Sequence, residues 1–189
     1  MSQQRMATSL SRLGILLLVL LSGCSSSEFI AKDRIVVLAL DTSGSAKEIH
    51  SILASKMRNT MEDCPPAARM LLFRFDSEPA DFYDGVALTD GAEAGKKIKE
   101  ELNRRSMESG TNLSKLFVAV KNILKGSDCL ADIHIFTDCG IEEMTPKEVD
   151  TAREISSEWS ALGYRVHFHG VRSGFRERIR SMVHGAEFH

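Results

Sequence analysis

The sequence predicts an α/β fold with a doubly wound, mostly parallel central sheet flanked by helices, and with a shortened C-terminus. Three observations predict this class. From Asp33 onward, short apolar runs alternate with longer segments of helical periodicity, which is typical of strands joined by crossover helices. The first apolar run is hydrophobic at nearly every position, as in a parallel strand buried on both faces. Proline, glycine and cap residues stand at the segment ends.

The first half of the domain is expected to hold three strands and two helices. Arg34–Leu40 is the central strand. The helix after it should run from about Ala46 to Asp63, because Pro65 and Pro66 cannot continue it. The other elements expected here are strands at Met70–Phe75 and Phe82–Leu88, the latter at the sheet edge, and a helix at about Ala92–Arg105.

The second half begins with a helix expected at Leu113–Lys125, for which Asn112 or Thr111 can serve as the N-cap. A fourth strand should follow at Ala131–Thr137.

The next helix has a clear start signal. Thr145 is a suitable N-cap, Pro146 fits the first helical position and Glu148 fits the third. That helix should reach Ala161, and Gly163 should stop it. The remaining elements expected are a strand at Tyr164–Val171, a short basic helix at about Phe175–Met182 and at most a stub of a sixth strand near Ala186–His189.

Length and composition indicate a globular chain with one core. The 189 residues suit one domain, and 43% hydrophobic with 26% charged residues is ordinary globular usage. The formal net charge of -2 provides no basic field for a polyanion. Nucleic acid is therefore not expected as a partner.

The N-terminal segment is interpreted as an export signal. Arg5 and Arg12 form a basic region, and Leu13–Leu21 is an apolar run too short to span a bilayer as a helix. The run ends in Leu-Ser-Gly-Cys, which resembles the lipobox of bacterial lipoproteins and implies diacylation (palmitate) of Cys24 after cleavage. An ordinary cleaved signal is the alternative. The expected organisation is a signal peptide over 1–23, a tether over 24–32 and the domain over 33–189.

The residue after the predicted lipidation site bears on location. Ser25 is not the aspartate that inner-membrane lipoproteins often carry there. We therefore expect a protein lipid-anchored in the bacterial cell envelope, with the outer membrane facing the periplasm favoured if the host has two membranes.

Oxygen-bearing side chains cluster at the predicted ligand edge of the sheet. Asp41, Ser43 and Ser45 alternate where the first strand ends, and Asp138 ends the fourth. A right-handed doubly wound topology places these strands side by side, where the order of connections reverses. Thr111 enters from the loop before the fourth strand. Because such hard oxygen ligands suit Mg²⁺, Mn²⁺ or Ca²⁺, we expect a divalent cation, with Mg²⁺ favoured.

The three segments together resemble the metal-ion-dependent adhesion site (MIDAS) of von Willebrand factor A (vWA) domains. They are Asp-Thr-Ser-Gly-Ser from Asp41, Gly-Thr-Asn-Leu around Thr111 and Phe-Thr-Asp ending at Asp138. The resemblance spans about Arg34 to Val171 and implies the Rossmann-like vWA fold. It further implies a cation held by Ser43, Ser45 and Thr111, with Asp41 and Asp138 bound directly or through water, and an Asp or Glu of a partner protein at the open position.

The sequence departs from this family at one site position. The family usually has glycine directly after the aspartate of the third segment, whereas Cys139 comes here first and Gly140 second. This difference puts the approach of the metal in question and adds a thiol at the site.

Three features outside this site require interpretation. His134, His167 and His169 could line one side of two adjacent strands and bind zinc, although hydrogen-bonded structural histidines are commoner. Trp159, with Ile155 and Leu162 at helical spacing, is expected in the core. The basic C-terminal stretch from Arg172 to Arg180 is interpreted as a solvated helix face.

An exported protein folds in an oxidising compartment, so its remaining cysteines can pair. Cys64 and Cys129 both lie in loops expected on the side of the sheet opposite the metal, and we predict a disulfide between them. Cys139 would then remain free.

These patterns favour a non-enzymatic, divalent-cation-dependent protein-binding module. The alternative is a periplasmic hydrolase, similar to a phosphoesterase, in which Asp41 and Asp138 hold a catalytic metal. No activated nucleophile, phosphate-binding loop or Gly-x-Ser-x-Gly elbow supports that alternative in the sequence. An envelope protein with a vestigial site is the third possibility.

Overall fold

A computed structural model describes residues 34–104, 110–139 and 144–189. The predicted signal peptide, the tether and Cys24 lie outside these residues. The strands are β1 (Arg34–Asp41), β2 (Arg69–Phe75), β3 (Ala80–Val86), β4 (Leu130–Phe136), β5 (Arg165–His169) and β6 (Ala186–Phe188). The α-helices are α1 (His50–Glu62), α2 (Gly91–Arg104), α3 (Leu113–Leu124), α4 (Pro146–Ala161) and α5 (Ser173–Met182).

The six strands form a single sheet in the order β3-β2-β1-β4-β5-β6. Only β3, against β2, is antiparallel; the other neighbours are parallel. The chain moves outward from β1 to β3 and then returns to pair β4 with β1 before continuing to β6. This arrangement confirms the predicted doubly wound α/β fold, with its reversal of strand order between β1 and β4.

Helices cover the sheet on two faces because alternate residues of each strand point in opposite directions. On one face, Val37 and Ile133 belong to a core built with α3, α4 and α5, in which Phe117 and Trp159 pack ring against ring. On the other face, Leu38 and Met70 pack against α1 and α2. The two apolar layers hold the strand ends, and hence the loops that follow them, in fixed positions.

Local structure matches most of the sequence signals. β3 begins at Ala80, two residues before the expected Phe82, and two further differences concern a helix start and a side chain. The helix expected from about Ala46 begins with a 3₁₀ turn over Ser45–Ile49, and α1 starts only at His50. Thr145 and Glu148 form the predicted capping box of α4. Leu162 does not join Ile155 and Trp159 in the core; it lies beyond the end of α4 with 53% of its surface exposed.

The predicted disulfide between Cys64 and Cys129 is not formed, and both residues are free thiols. The reason is their position on different faces of the sheet. Cys64 belongs to the core layer of α1 and donates to the carbonyl of Thr60, whereas Cys129 packs against the layer of α3 and α4. Cys139 is also free and is buried.

Among the residues that the structure describes, no helix combines the length and the apolar composition required to cross a bilayer.

Candidate metal site

The predicted ligands meet at the carboxyl edge of the two central strands. Asp41 is the last residue of β1, and Asp138 follows the adjacent β4 by two residues. Thr111 lies two residues before α3, directly after Gly110, whose φ of 128° is a conformation that favours glycine. Asp41, Thr111 and Asp138 are all buried. The fold therefore brings together side chains that are separated by up to about a hundred residues of sequence.

The Asp41 carboxylate is held by contacts to both of its oxygens. Oδ1 accepts a hydrogen bond of 2.9 Å from the backbone N–H of Ser43. Oδ2 accepts one of 2.6 Å from the Thr137 hydroxyl at the end of β4. The Thr111 hydroxyl lies 3.4 Å from Oδ2 and 3.5 Å from Oδ1. These contacts orient the carboxylate toward the hydroxyl groups of two other segments.

The two serines extend this group of oxygens toward solvent. Ser43 is buried, Ser45 is exposed, and their Oγ atoms lie 3.0 Å apart. The alternation predicted from the sequence thus places both hydroxyls on the same side of the loop. Because the other predicted ligands are buried, access to the site is from the side of Ser45.

The second carboxylate has a cationic neighbour that the sequence analysis did not assign to the site. The Arg172 guanidinium, in the loop after β5, lies 3.9 Å from Asp138 Oδ2. Its side chain is largely exposed, so it places a positive charge at the mouth of the site. The sequence alone does not indicate that the loop after β5 places Arg172 next to the end of the neighbouring strand β4.

Cys139 adopts the backbone conformation that favours the glycine expected at its position. Its φ is 63°, in the left-handed region that L side chains seldom adopt. Its backbone N–H donates to the Thr137 hydroxyl at 2.9 Å, and its side chain is buried. Burial raises the pKa of the Cys139 thiol, so the thiol remains protonated at neutral pH.

The charge state of Asp41 reflects its surroundings. Burial raises the pKa of Asp41 above its ordinary value, opposed by hydrogen bonds from Thr137 and Ser43 and reinforced by the negative charge of Asp138. The ionised carboxylate is therefore costly in the fold unless a cation compensates for it. A bound divalent ion would supply that compensation.

Two further residues near the site, Thr137 and Asp76, were missed as contributors. Thr137 donates to Asp41, and its place directly before Asp138 in the third segment was the available signal. Asp76, buried after β2, receives a contact of 3.5 Å from the Thr42 hydroxyl and accepts from the Glu78 N–H. Its backbone carbonyl accepts from Asn112 N–H at 3.0 Å, which links the end of β2 to the loop that carries Thr111.

The donor set fits a hard divalent cation. Two carboxylates and three hydroxyl oxygens are the ligand types that Mg²⁺, Mn²⁺ and Ca²⁺ take in proteins. Asp41 and Asp138 are both buried at the ends of adjacent strands, and a cation between them would offset this burial of negative charge. Asp41, Ser43, Ser45, Thr111 and Asp138 are the residues able to hold it.

The three histidines considered as an alternative site do share one face of β4 and β5. His134 is paired in register with His167, and its Nδ1 lies 3.0 Å from His169 Nε2. Burial lowers the pKa of His134 to about 3 and that of His169 to about 4, so both rings are uncharged at neutral pH. Glu187 of β6 and His189, directly after it, join this face, for which the sequence has no local signal.

Comparisons with known proteins were made for both the sequence and the structure. No family model matches the sequence. No curated protein matches it either. Solved structures do match, 175 chains in all, so the similarity is evident in three dimensions.

Three of these structures represent the similarity. The von Willebrand factor type A protein from Catenulispora acidiphila has a TM-score of 0.55 and 12% identity over 84% of this chain and 39% of that chain. The manganese-loaded TRAP protein of Plasmodium vivax has a TM-score of 0.58 and 15% identity over 84% and 69%. Proximal thread matrix protein 1 of the mussel byssus has a TM-score of 0.59 and 11% identity over 84% and 44%. The chain therefore spans less than half the length of two of them.

Proposed function

We propose that this chain, which has the fold of von Willebrand factor A domains, binds a divalent cation and uses it to hold an acidic side chain of a partner protein. The observation that carries the proposal is the meeting of two buried carboxylates, Asp41 and Asp138, with the Ser43, Ser45 and Thr111 hydroxyls at one edge of the sheet. One similar structure, the TRAP protein, is of a manganese-loaded protein, which supports a cation of this class.

The chemistry of the ligand set favours an acidic partner. Two carboxylates only balance the charge of a divalent ion, and hydroxyl ligands add no formal charge. An additional carboxylate from a partner can therefore bind the ion at the exposed side of the site, next to Ser45. The exposed Arg172 guanidinium, which lies near Asp138, offers that carboxylate a second favourable contact.

Among the described residues, the state of the Cys139 side chain at the site favours a binding role over hydrolysis through a thiol nucleophile. The Cys139 thiol is buried, and burial raises its pKa, so it is neither accessible nor ionised. The hydroxyls of Ser43 and Thr111 are engaged with the oxygens of the site. We accordingly propose a non-enzymatic function, with Mg²⁺ as the resident cation.

We further propose that Cys24 is lipidated and anchors the domain in the bacterial cell envelope, at the outer membrane facing the periplasm if the host has two membranes. The support is the apolar run that ends in Leu-Ser-Gly-Cys. Cys24→Ser should leave an uncleaved or soluble precursor. Membrane fractionation that finds an unchanged, detergent-phase mature protein would refute the anchor without affecting the metal site.

The binding function is tested by partner capture with the full chain as bait. Envelope proteins retained in Mg²⁺ should be lost in chelator, and they should be lost with Asp41→Asn or Asp138→Asn. Asp81→Asn is the matched control, because it removes the same charge from an exposed position on β3. A partner that survives both chelation and Asp41→Asn would contradict the mechanism.

A further inference from the structure

The face of the sheet that packs against α1 and α2 becomes polar toward β5 and β6. On β1 and β2 this face is apolar and packs against those helices. On β4, β5 and β6 the same face carries His134, His167, His169 and Glu187, and His189 follows directly after β6. We refer to these five residues as the histidine face.

Three groups of the histidine face converge on one point. His167 Nδ1 lies 3.1 Å from Glu187 Oε2 and also 3.1 Å from His189 Nε2. The three atoms all lie within 4.8 Å of one another. A tetrahedral zinc ion with bonds of about 2.0–2.1 Å separates its ligand atoms by about 3.3 Å. Two of the three separations are therefore already close to those of a zinc site.

Hydrogen bonding accounts for only part of this geometry. An imidazole nitrogen has either one hydrogen to donate or one lone pair to accept with. His167 Nδ1 can therefore make one well-directed hydrogen bond, yet it has two partners at the same distance. A metal ion at the centre satisfies all three ligand atoms at once.

The neighbouring rings hold the two imidazoles in place. His134 stacks on His167 with ring centroids 4.6 Å apart, and His169 stacks on His189 at 5.0 Å. His134 and His169 are themselves linked through their ring nitrogens. This packing limits the rotation of the ligating rings, which is how surrounding residues usually support a metal site.

We propose that His167, Glu187 and His189 form a second metal site, which takes zinc and is separate from the oxygen site at Asp41. Nitrogen ligands select zinc over Mg²⁺ or Ca²⁺, whereas the oxygen site has the opposite preference. Two histidines and one glutamate leave a fourth position for water or another ligand. Because the ligands come from β5 and from β6 with the residue after it, zinc fastens the three-residue β6 to the sheet.

Zinc titration of the full chain in excess Mg²⁺ tests the site. We expect one zinc equivalent per chain, with affinity lowered at least about 100-fold by Glu187→Gln or by His189→Gln, since even outer-shell changes cost 10- to 100-fold. Both residues are exposed, so the variants should fold, and circular dichroism verifies this. His184→Gln is the matched control, because His184 is an exposed histidine outside the histidine face.

Two further measurements decide the assignment. Cobalt in place of zinc should give the strong visible absorption of a tetrahedral site in the wild type and not in Glu187→Gln. The Asp41→Asn variant should bind zinc with the same affinity as the wild type. The proposal is overturned if the wild-type chain takes up no stoichiometric zinc, if both Glu187→Gln and His189→Gln bind it with unchanged affinity, or if Asp41→Asn abolishes its binding.

Discussion

Replacement of Asp41 by asparagine separates the metal-binding role of this side chain from its structural role. Asparagine keeps the shape and an Oδ1 that accepts from the Ser43 N–H, and its amide N–H can donate to the Thr137 hydroxyl. The change removes the buried negative charge of Asp41. Burial, reinforced by repulsion from Asp138, raises the pKa of that carboxyl. The fold should therefore persist while the affinity for a divalent cation is lost.

The size of the effect follows from binding linkage. A cation at about 100 times its Kd stabilises the wild-type fold by about 2.7 kcal/mol. In a domain of about 150–250 residues, each kcal/mol moves Tm by about 2–4 °C, so Mg²⁺ should raise the wild-type Tm by about 5–10 °C. Mg²⁺ should raise the Tm of the Asp41→Asn variant by less than about 1 °C. Without metal its Tm should equal or exceed that of the wild type, because burial disfavours the charge that asparagine lacks.

Thermal melts followed by circular dichroism, in Mg²⁺ and in chelator, provide the measurement. Asp81→Asn serves as the control and should retain the full Mg²⁺ effect, since Asp81 is exposed on β3, two strands away from β1 and its Asp41. Equal Mg²⁺ stabilisation of Asp41→Asn and wild type would refute the reasoning. So would a metal-free Asp41→Asn protein that is clearly less stable than the wild type, because the Asp41 charge would then stabilise the fold.

Three other predictions concern Thr137, Cys139 and Asp132. Thr137→Val removes the hydroxyl that donates to Asp41 and accepts from the Cys139 N–H. The free energy of unfolding, measured in urea, should fall by about 1–3 kcal/mol, and the metal affinity should weaken. An unchanged metal affinity would contradict the positioning role of Thr137. Cys139→Gly should exceed Cys139→Ala in stability by up to about 1 kcal/mol, because only glycine relieves the left-handed backbone; equal stabilities would show that no strain is present. The pKa of Asp132 is lowered, because the hydrogen bonds from two arginines outweigh the effect of its burial. The ionised Asp132 should therefore stabilise the fold above about pH 4, and this stabilisation should disappear as the pH falls through the lowered pKa. Stability measured against pH should show that wild type exceeds Asp132→Asn by about 1–2 kcal/mol at neutral pH and converges with it in acid; a constant difference would contradict the ion pairs.

Much of the fold was predictable because each element carries its own local signal. The buried run of β1, the capping residues of α4 and the stop at Gly163 need no knowledge of the rest of the chain. The pairing of β1 with β4 followed from the handedness of crossover connections. The positions of Asp41 and Asp138 followed from that pairing, since parallel strands end at the same edge.

Contacts between distant segments were not predictable in the same way. Loop positions placed Cys64 and Cys129 at the same end of the sheet, but not on the same face of it. The contribution of Arg172 depends on how the loop after β5 turns, for which the sequence has no local signal. Glu187 and His189 join the histidine face only because the short β6 pairs in parallel with β5 in a particular register.

The central claim is that Asp41, Ser43, Ser45, Thr111 and Asp138 hold one divalent cation. Crystals of the protein grown in Mn²⁺ test it most directly, through the anomalous difference signal of manganese. We predict a peak about 2.0–2.6 Å from the oxygens that bind the ion directly. We also predict that crystals of Asp41→Asn lack this peak. Manganese bound elsewhere, with no peak between Asp41 and Asp138 in the wild type, would contradict the account.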